Sequence, residues 1–220
     1  MNVQLILASA SPRRQALLQL LGLPFQVMVA DVDEDSITHP DPTINVVETA
    51  RLKAITIAAR CVEPVLIIAS DTTVALDGQM LNKPVDEAEA WQMLQALRGR
   101  VHYVHTGLVL LNTATGQTVT DVATTPVPMR SYSDSEIAAY IATGDPLDKA
   151  GGYAIQHPQF QPAPNLSGCY ASVMGFPLCH LTRALRQMGV IVTIDVAAAC
   201  QQAIQYDCPV YPLILSRSKE

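Results

Sequence analysis

Charged side chains are scarce in this chain of 220 residues: they make up 15% of it, against about 25% in an average soluble domain. The 20 acidic residues outnumber the 14 basic ones, which gives a formal net charge of −6. Non-specific nucleic-acid binding needs a basic face, and a polybasic membrane anchor needs a basic amphipathic segment, so this balance argues against both. A small anionic ligand is still compatible with it, because such a ligand needs only a few local cations and backbone N–H groups.

Long apolar runs and paired cysteines are also missing. The longest apolar runs, such as residues 65–69, fall far short of the roughly 18 residues of a membrane span. Arg13 and Arg14 follow the apolar residues 3–8, whereas a signal peptide places its positive charge first. The five cysteines contain no Cys-x-x-Cys pair and are expected as free thiols. We therefore expect a cytoplasmic protein without a membrane partner.

Three common site motifs are absent as well: the P-loop, the Gly-x-Gly-x-x-Gly fingerprint and the Gly-x-Ser-x-Gly elbow. Hydrophobic residues, by contrast, make up 49% of the chain, enough for one large or two small domains. Strand and helix patterns alternate in the first half, and two long strand patterns follow at residues 101–111 and 118–129. This order predicts an α/β fold with a mixed sheet. Because there is no internal repeat or linker, we expect one domain with a cleft.

Several local patterns carry separate predictions. Residues 65–69 predict a buried strand, and residues 43–60 predict a helix on which Lys53 lies off the densest apolar face. The Gly- and Pro-rich residues 150–168 are typical of a surface loop gathered around a site. The apolar run that follows Gly189 is strand-like, and a helix pattern follows it.

The first candidate site is the run Ser9-Ala10-Ser11-Pro12-Arg13-Arg14, between a strand pattern and a helix pattern. Ser11 is a suitable N-cap and Pro12 suits the first helical position. Free N–H groups at a helix start and two guanidiniums together bind phosphate oxygens well. Cations are disfavoured in a first helical turn unless an anion compensates them, which favours this interpretation over two surface arginines on a solvated helix start.

The second candidate is Ser70-Asp71-Thr72-Thr73, which we expect at the carboxyl end of the buried strand 65–69. Ligands of open α/β sheets collect at such ends. An aspartate there can hold Mg²⁺ or Mn²⁺, or accept a proton from water. The alternative is an aspartate that only closes a turn.

Lysines and an acidic run complete the candidates. Lys83, in Asn82-Lys83-Pro84, and Lys53 can each place an ammonium on phosphate, although either alone is more often a surface residue. Residues 31–35 hold four carboxylates, one of which can bind a metal while the others face solvent.

Five ordered motifs together resemble the Maf family of nucleoside triphosphate pyrophosphatases. The similarity runs from about residue 3 to residue 186, and the spacing of the motifs makes it specific. The motifs are Ser9-Ala10-Ser11-Pro12-Arg13-Arg14, Ala69-Ser70-Asp71-Thr72, Lys83-Pro84, Asp148-Lys149-Ala150-Gly151-Gly152-Tyr153-Ala154-Ile155-Gln156 and Val173-Met174-Gly175-Phe176-Pro177.

The resemblance implies hydrolysis between the α- and β-phosphates of a nucleoside triphosphate, with a divalent metal, Mg or Mn. It implies a Maf/ITPase-like α/β fold, an elongated mixed β-sheet flanked by helices, with two lobes, an active-site cleft and often a homodimer. By motif position it implies that Asp71 is the catalytic proton acceptor and that Asp71 and Glu34 hold the metal. The implied substrate-binding residues are Ser9, Arg13, Arg14, Lys53, Thr72, Lys83 and Gln156.

Three of these positions imply a subfamily. Members that act on dTTP and UTP carry arginine, threonine and glutamine where this chain has Arg13, Thr72 and Gln156. A glutamine amide offers both donors and an acceptor, which suits the imide edge of uracil or thymine. The resemblance therefore implies a pyrimidine nucleotide, normal or modified, as the substrate.

The chain also departs from the family pattern. Ser70, Asn82 and His157 stand where the family commonly has small residues, mostly glycine. Residues 1–188 are expected to form the nucleotide pyrophosphatase domain, and residues 189–220 a C-terminal extension packed on it or placed at a dimer contact.

Two other functions remain as hypotheses. One is a catalytically weak nucleotide-binding regulator of cell division, and the other is a general phosphosugar- or anion-binding α/β domain. Retention of Asp71, Lys83 and both arginines disfavours the regulator, because binding alone does not need a base.

Overall fold

A six-stranded mixed β-sheet organises the computed structural model, which describes residues 3–216. Its strands are β1 (Gln4–Leu7), β2 (Phe25–Val27), β3 (Val65–Leu76), β4 (Gln79–Leu81), β5 (Val101–Asn112) and β6 (Thr118–Pro128). The helices of the described part are α1 (Pro12–Gln19), α2 (Pro42–Ala58), α3 (Glu87–Leu97), α4 (Asp134–Ile141), α5 (Tyr170–Val173), α6 (Leu178–Gln187), α7 (Val196–Ile204) and α8 (Tyr211–Ser216). The mixed sheet flanked by helices confirms the predicted fold class.

The long strand β3 is the axis of the sheet. The strand order is β2-β1-β3-β5-β6, with β4 paired to β3 off this path. On one side β3 pairs with β5 along most of its length, from Leu66 to Ala75. On the other side it has two shorter neighbours: parallel β1, whose pairing ends at Ile68, and antiparallel β4, whose pairing begins at Val74. Residues 69–73 therefore lie in a gap along that edge of β3.

This gap corrects the prediction for the buried strand. We predicted a strand of residues 65–69 that delivers Asp71 at its carboxyl end, but β3 continues to Leu76 and Asp71 lies inside it. The polar residues stay in the sheet because β5 continues opposite them, with Asp71 facing Gly107 in the register. The strand that ends beside the gap is β1.

Helices cover both faces of the sheet around β1 and the first half of β3. Other helices enclose a separate apolar core around the second half of β3. One apolar cluster joins β1, β3 and β5 to α1 and α6, and the cluster on the opposite face joins them to α2. A third cluster joins the far half of β3 to α3, α4 and residues 153–166. The gap in β3 thus lies between two packed lobes.

Two local predictions were wrong. The apolar run after Gly189 forms no strand: Val190 and Val192 pack on the core of the first lobe, and Ile191 is exposed. Residues 150–168 are not simply a surface loop, because residues 151–155 are buried against α3 and α4. All five cysteines are free, as expected. No helix within residues 3–216 has both the length and the apolarity to cross a membrane.

A buried ion pair fastens α6 to the edge strand β6. Arg183 donates from Nε and Nη2 to the carboxylate of Asp121, with an Nε to Oδ2 distance of 2.9 Å. The Asp121 side chain is 6% exposed. Arg183 also donates from Nη1 to the carbonyl of Ile214, in α8. One guanidinium therefore joins the sheet, α6 and the C-terminal helix.

Replacing Arg183 with methionine is expected to destabilise the protein by about 3 kcal/mol, because it leaves Asp121 buried without a counter-ion. The free energy of unfolding in urea measures this. Arg186→Met, on the exposed face of the same helix, is the matched control and is expected to change stability by less than about 0.5 kcal/mol. Equal effects of the two substitutions would contradict the assigned role of the ion pair.

Candidate active site

The start of α1 borders the gap along the edge of β3. Ser11 is its N-cap, with extended backbone dihedrals, and its side chain accepts a hydrogen bond from the Arg14 N–H at 3.4 Å. Pro12 occupies the first turn, as predicted. The buried Ser9 hydroxyl accepts from the Ser11 N–H at 3.2 Å. Both serines thus shape the turn that leads from β1 into α1.

Arg14 fills the gap in the sheet edge. Its Nη1 donates to the carbonyl of Ser70 at 2.8 Å, and its Nη2 donates to Thr72 Oγ1 at 3.2 Å. Its Nε donates to the carbonyl of Gly175 at 2.9 Å. Burial lowers the pKa of the guanidinium, while the nearby carboxylates of Asp71 and Glu34 oppose that shift. Arg14 therefore takes the place of a neighbouring strand and brings a positive charge into the gap.

Gly175 must be glycine for this arrangement. Its φ is +97°, a backbone conformation that other residues rarely adopt. A Cβ atom there would also lie 3.1 Å from Thr72 Oγ1 and 3.4 Å from the Arg14 guanidinium. The Met174-Gly175-Phe176 segment is thus shaped to receive Arg14.

A buried lysine joins the two candidate carboxylates. Lys53 Nζ lies 2.7 Å from Asp71 Oδ1 and 2.8 Å from Glu34 Oε1. The Lys53 side chain is 7% exposed, that of Asp71 14% and that of Glu34 41%. Although we predicted Lys53 off the densest apolar face of α2, it lies on the buried face, one turn after the buried Thr49. Its two carboxylate partners compensate the cost of burying its charge.

Lys53 and Lys83 also set the protonation state of Glu34. Burial raises the pKa of this carboxyl, but the Lys53 ammonium, then Lys83 and Arg14, more than offset it and hold the pKa below its usual value. Lys83 Nζ lies 3.6 Å from Glu34 Oε2 and is largely exposed. Glu34 is therefore ionised at neutral pH.

All of the residues proposed from the sequence line one cleft of about 600 Å³. They come from six separate parts of the chain: the β1–α1 turn, the acidic run, α2, β3, the loop around Lys83 and the loop around Gln156. Arg13 is half-buried on the cleft wall, and Gln156 is exposed at its rim. Ser9, Arg13, Arg14, Glu34, Lys53, Asp71, Thr72, Lys83 and Gln156 are the residues concerned.

Sequence reasoning assigned no role to one further charged pair in this cleft, Asp148 and Lys149. Lys149 is buried, and its Nζ donates to the Asp145 carbonyl at 2.7 Å and lies 3.0 Å from Asp145 Oδ1. It also contacts the Asp148 carboxylate. The motif that begins at Asp148 already contained both residues, so the signal for them was present. Its Gly-rich context suggested a surface loop, in which a buried lysine is not expected.

The three departures from the family pattern have structural partners. The buried Ser70 hydroxyl donates to the Gly175 carbonyl at 3.1 Å, which is also the acceptor of Arg14. The Asn82 carbonyl accepts from the Gly151 N–H at 3.1 Å and links the Lys83 loop to the 145–156 segment. His157 Nδ1 accepts from the Phe160 N–H at 3.0 Å. The Ser70 and His157 side chains thus stabilise segments beside the cleft, whereas the Asn82 contact is made by the backbone and is open to glycine as well.

The two carboxylates suit a divalent cation whose remaining ligands come from a bound substrate. Within the described residues, no three His, Cys, Asp or Glu side chains are grouped to hold a metal ion by themselves. Asp71 and Glu34, however, converge on one lysine nitrogen and both line the cleft. Mg²⁺ commonly binds through one or two carboxylates together with substrate phosphates. The donor set suits that mode and not an all-protein cage.

Comparisons with known proteins match most of this chain. The family model described as Maf-like protein matches residues 4–188. A protein of Desulforamulus reducens named dTTP/UTP pyrophosphatase is 43% identical over 186 residues, which are 84% of this chain and 97% of that protein. A protein of the same name from Thermomicrobium roseum is 43% identical over 216 residues, 94% of each chain. That of Dictyoglomus turgidum is 38% identical over 86% of this chain and 98% of its own.

Solved structures match more distantly. A nucleoside-triphosphatase / dITP/XTP pyrophosphatase of Mycobacterium abscessus has a TM-score of 0.39 at 15% identity, over 58% of this chain and 74% of its own. The Ham1 protein of Staphylococcus aureus has a TM-score of 0.42 at 16% identity, over 57% and 71%.

Replacing Lys53 with methionine is expected to raise the pKa of the Glu34 carboxyl, because the nearest of the cations that lower it is lost. NMR titration of the side-chain carboxyl carbons measures this. Lys83→Met removes the more distant, exposed ammonium and is expected to cause a smaller rise. If the two substitutions shift Glu34 equally, Lys53 is not the main determinant of its charge.

Proposed function

The chain belongs to the Maf family, and on that premise we propose that it is a nucleoside triphosphate pyrophosphatase that hydrolyses dTTP and UTP to the monophosphate and pyrophosphate. Modified pyrimidine nucleotides fall within the same proposal. The observation that carries it is the meeting, in one cleft, of a helix start, the cations Arg13, Arg14, Lys53 and Lys83, and the aspartate Asp71. The relatives' names give the reaction and the substrates.

The positive charge in the cleft supports triphosphate binding. The proposed phosphate site holds Arg13, Arg14, Lys53 and Lys83 but only two carboxylates, Glu34 and Asp71, in a protein of net charge −6. Oriented N–H groups at the start of α1 add a partial positive charge. We place the phosphates over the turn of residues 9–14, where Ser9 adds a hydroxyl. Arg14 contributes charge and shape, since its donors already bind Ser70, Thr72 and Gly175.

Asp71 is the proposed proton acceptor. Water attacks the α-phosphorus, the bond to the bridging oxygen of the β-phosphate breaks, and pyrophosphate leaves. The attacking water gives its proton to the Asp71 carboxylate. Lys53 Nζ lies 2.7 Å from Asp71 Oδ1, and this contact orients the carboxylate. The fixed cations around the phosphates stabilise the charge that develops in the transition state.

A divalent cation, Mg²⁺ or Mn²⁺, is part of this proposal, and Asp71 and Glu34 are the residues that would hold it. When bound, such an ion neutralises phosphate charge and polarises the phosphoryl oxygens. The contact of both carboxylates with Lys53 supports this assignment, because it places their oxygens close together on the cleft wall.

Arg13, Thr72 and Gln156 are the proposed specificity residues. Thr72 is fixed by Arg14 and by a 3.0 Å hydrogen bond with Thr106. Gln156 is exposed on the rim of the cleft, where its amide can both donate to and accept from a pyrimidine edge. The proposed substrate therefore lies with its phosphates at α1 and its base toward Gln156.

We further propose that residues 1–188 carry this chemistry and that residues 189–220, described to Ser216, support the fold or a homodimer. The packing of α7 and α8 on the first lobe, away from the cleft-lining residues, supports this division. A cytoplasmic location and the absence of nucleic-acid partners complete the proposal.

A nucleotide panel tests the reaction. With Mg²⁺ or Mn²⁺ present, the purified protein is expected to release pyrophosphate from dTTP and UTP faster than from CTP, GTP or ATP. Chromatography of the nucleotide products together with a pyrophosphate assay measures this. Release of orthophosphate would overturn the mechanism. Binding without turnover would favour the regulator of cell division.

Asp71→Asn is expected to lower kcat by about 10²- to 10⁴-fold, because the amide cannot accept the proton. The fold is expected to persist, since the substitution keeps the shape of the side chain. Asp77→Asn, in the exposed turn after the same strand, is the matched control and is expected to keep wild-type kcat. An Asp71→Asn enzyme of normal activity would remove Asp71 from the chemistry.

A further inference from the structure

Gln156 lies in a tight turn whose geometry depends on the side chains packed against it. The turn is closed by a hydrogen bond from the His157 N–H to the Ala154 carbonyl, at 3.2 Å. Ile155 is buried in the apolar cluster around α3 and α4, which we call the second core. Gln156 is exposed and lines the cleft. The direction of the Gln156 amide therefore depends on how the turn of residues 154–157 is held.

One side chain of α4, Tyr140, holds both ends of this turn. Its hydroxyl accepts a hydrogen bond from the Ala154 N–H at 2.8 Å. Its ring packs edge-on against the His157 ring, with a centroid distance of 4.8 Å. It also stacks on Phe160 at 4.3 Å. Because Tyr140 itself is buried, these contacts restrict the conformation of the turn.

The Tyr140 hydroxyl is in turn oriented by a charged partner. It donates to Asp145 Oδ2 at 2.6 Å, and the other oxygen of that carboxylate lies 3.0 Å from Lys149 Nζ. Because Asp145 takes the hydroxyl proton, the oxygen lone pairs are free to accept from Ala154. The chain Lys149–Asp145–Tyr140–Ala154 thus runs from the cleft wall to the turn that carries Gln156.

We propose that Tyr140 is a positioning residue that sets nucleotide selectivity by fixing the Gln156 turn. The inference rests on the proposed function, and deepens it with a residue that none of the sequence motifs contains. Tyr140 lies in the second core and is absent from the cleft lining. It acts only through the backbone of Ala154 and the ring of His157.

Tyr140→Phe removes the hydroxyl and keeps the ring. We expect the ratio of kcat/KM for UTP to that for CTP to fall about five- to tenfold. This is the effect expected from losing one hydrogen bond that orients the turn. The change is expected in KM for UTP, with kcat kept within about twofold, because the reacting groups lie at the other end of the cleft.

Tyr132→Phe is the matched control. Tyr132 is also buried, packs on Phe160 at 4.8 Å, and donates its hydroxyl to the Leu94 carbonyl at 2.7 Å, but it does not touch the turn. Both substitutions are expected to lower Tm, since each removes a buried hydroxyl that is hydrogen-bonded to the backbone. Tyr140→Phe is expected to lower it more, because the Leu94 carbonyl keeps the Arg98 N–H as a donor, whereas Tyr140→Phe also removes the bond to Asp145. Only Tyr140→Phe is expected to change the UTP to CTP ratio.

A double-mutant cycle with Gln156→Ala identifies the route of the effect. If Tyr140 acts through Gln156, Tyr140→Phe causes no further loss of selectivity in the Gln156→Ala protein. Inorganic tripolyphosphate, as a competitive inhibitor, reports on the phosphate site alone, and its inhibition constant is expected to stay unchanged in all variants.

Additive effects in the cycle, an unchanged UTP to CTP ratio in Tyr140→Phe, or a wild-type protein that does not discriminate between UTP and CTP would each overturn the inference. Equilibrium binding of UTP and CTP to the same variants separates this from the proposed function. If the wild-type protein binds both nucleotides but hydrolyses neither, the proposed reaction fails, while the ratio of the two dissociation constants still decides the role of Tyr140.

Discussion

The gap along one edge of β3, bridged by the Arg14 guanidinium, is the constraint on which the rest of the site depends. A sheet edge with an unpaired carbonyl needs a hydrogen-bond donor, and here the Arg14 side chain supplies one to the Ser70 carbonyl in place of a strand. The same guanidinium reaches the Gly175 carbonyl and so joins the start of α1 to the segment before α6. Because a side chain and not a strand fills the gap, the sheet edge stays open to a ligand there while the Ser70 carbonyl keeps a donor.

Electrostatics follow from this arrangement. The buried charges of Lys53 and Arg14 would be costly alone, and Asp71 and Glu34 reduce that cost before any ligand arrives. The cleft thereby keeps an excess of positive charge, while Lys53 and Arg14 already have carboxylates nearby. A highly anionic substrate can form ion pairs with these cations in place of their present contacts with carboxylates. An acidic protein can in this way bind a polyphosphate in a single basic cleft.

Selectivity is supported from the opposite lobe. The phosphate end of the cleft is formed by β1, α1, α2 and the middle of β3, whereas the rim at Gln156 is built on the second core through Ala154 and Ile155. The two ends therefore rest largely on different apolar clusters, which the continuous strands β3, β5 and β6 join. This separation allows the base pocket to vary with its supporting core while the phosphate chemistry stays the same.

The sequence by itself was enough to predict the mixed α/β fold, the cap of α1 and the residues gathered in the cleft, because each rests on short-range patterns such as Ser11-Pro12 or on ordered motifs. It was not enough for the length of β3, since the polar residues Ser70 to Thr73 stay in the sheet only because β5 pairs with them. Nor did it predict the burial of Lys53 and Lys149, or the part played by Tyr140. Those features depend on partners far along the chain, Asp71 and Glu34 for Lys53 and Ala154 for Tyr140, and only the tertiary structure brings such partners together.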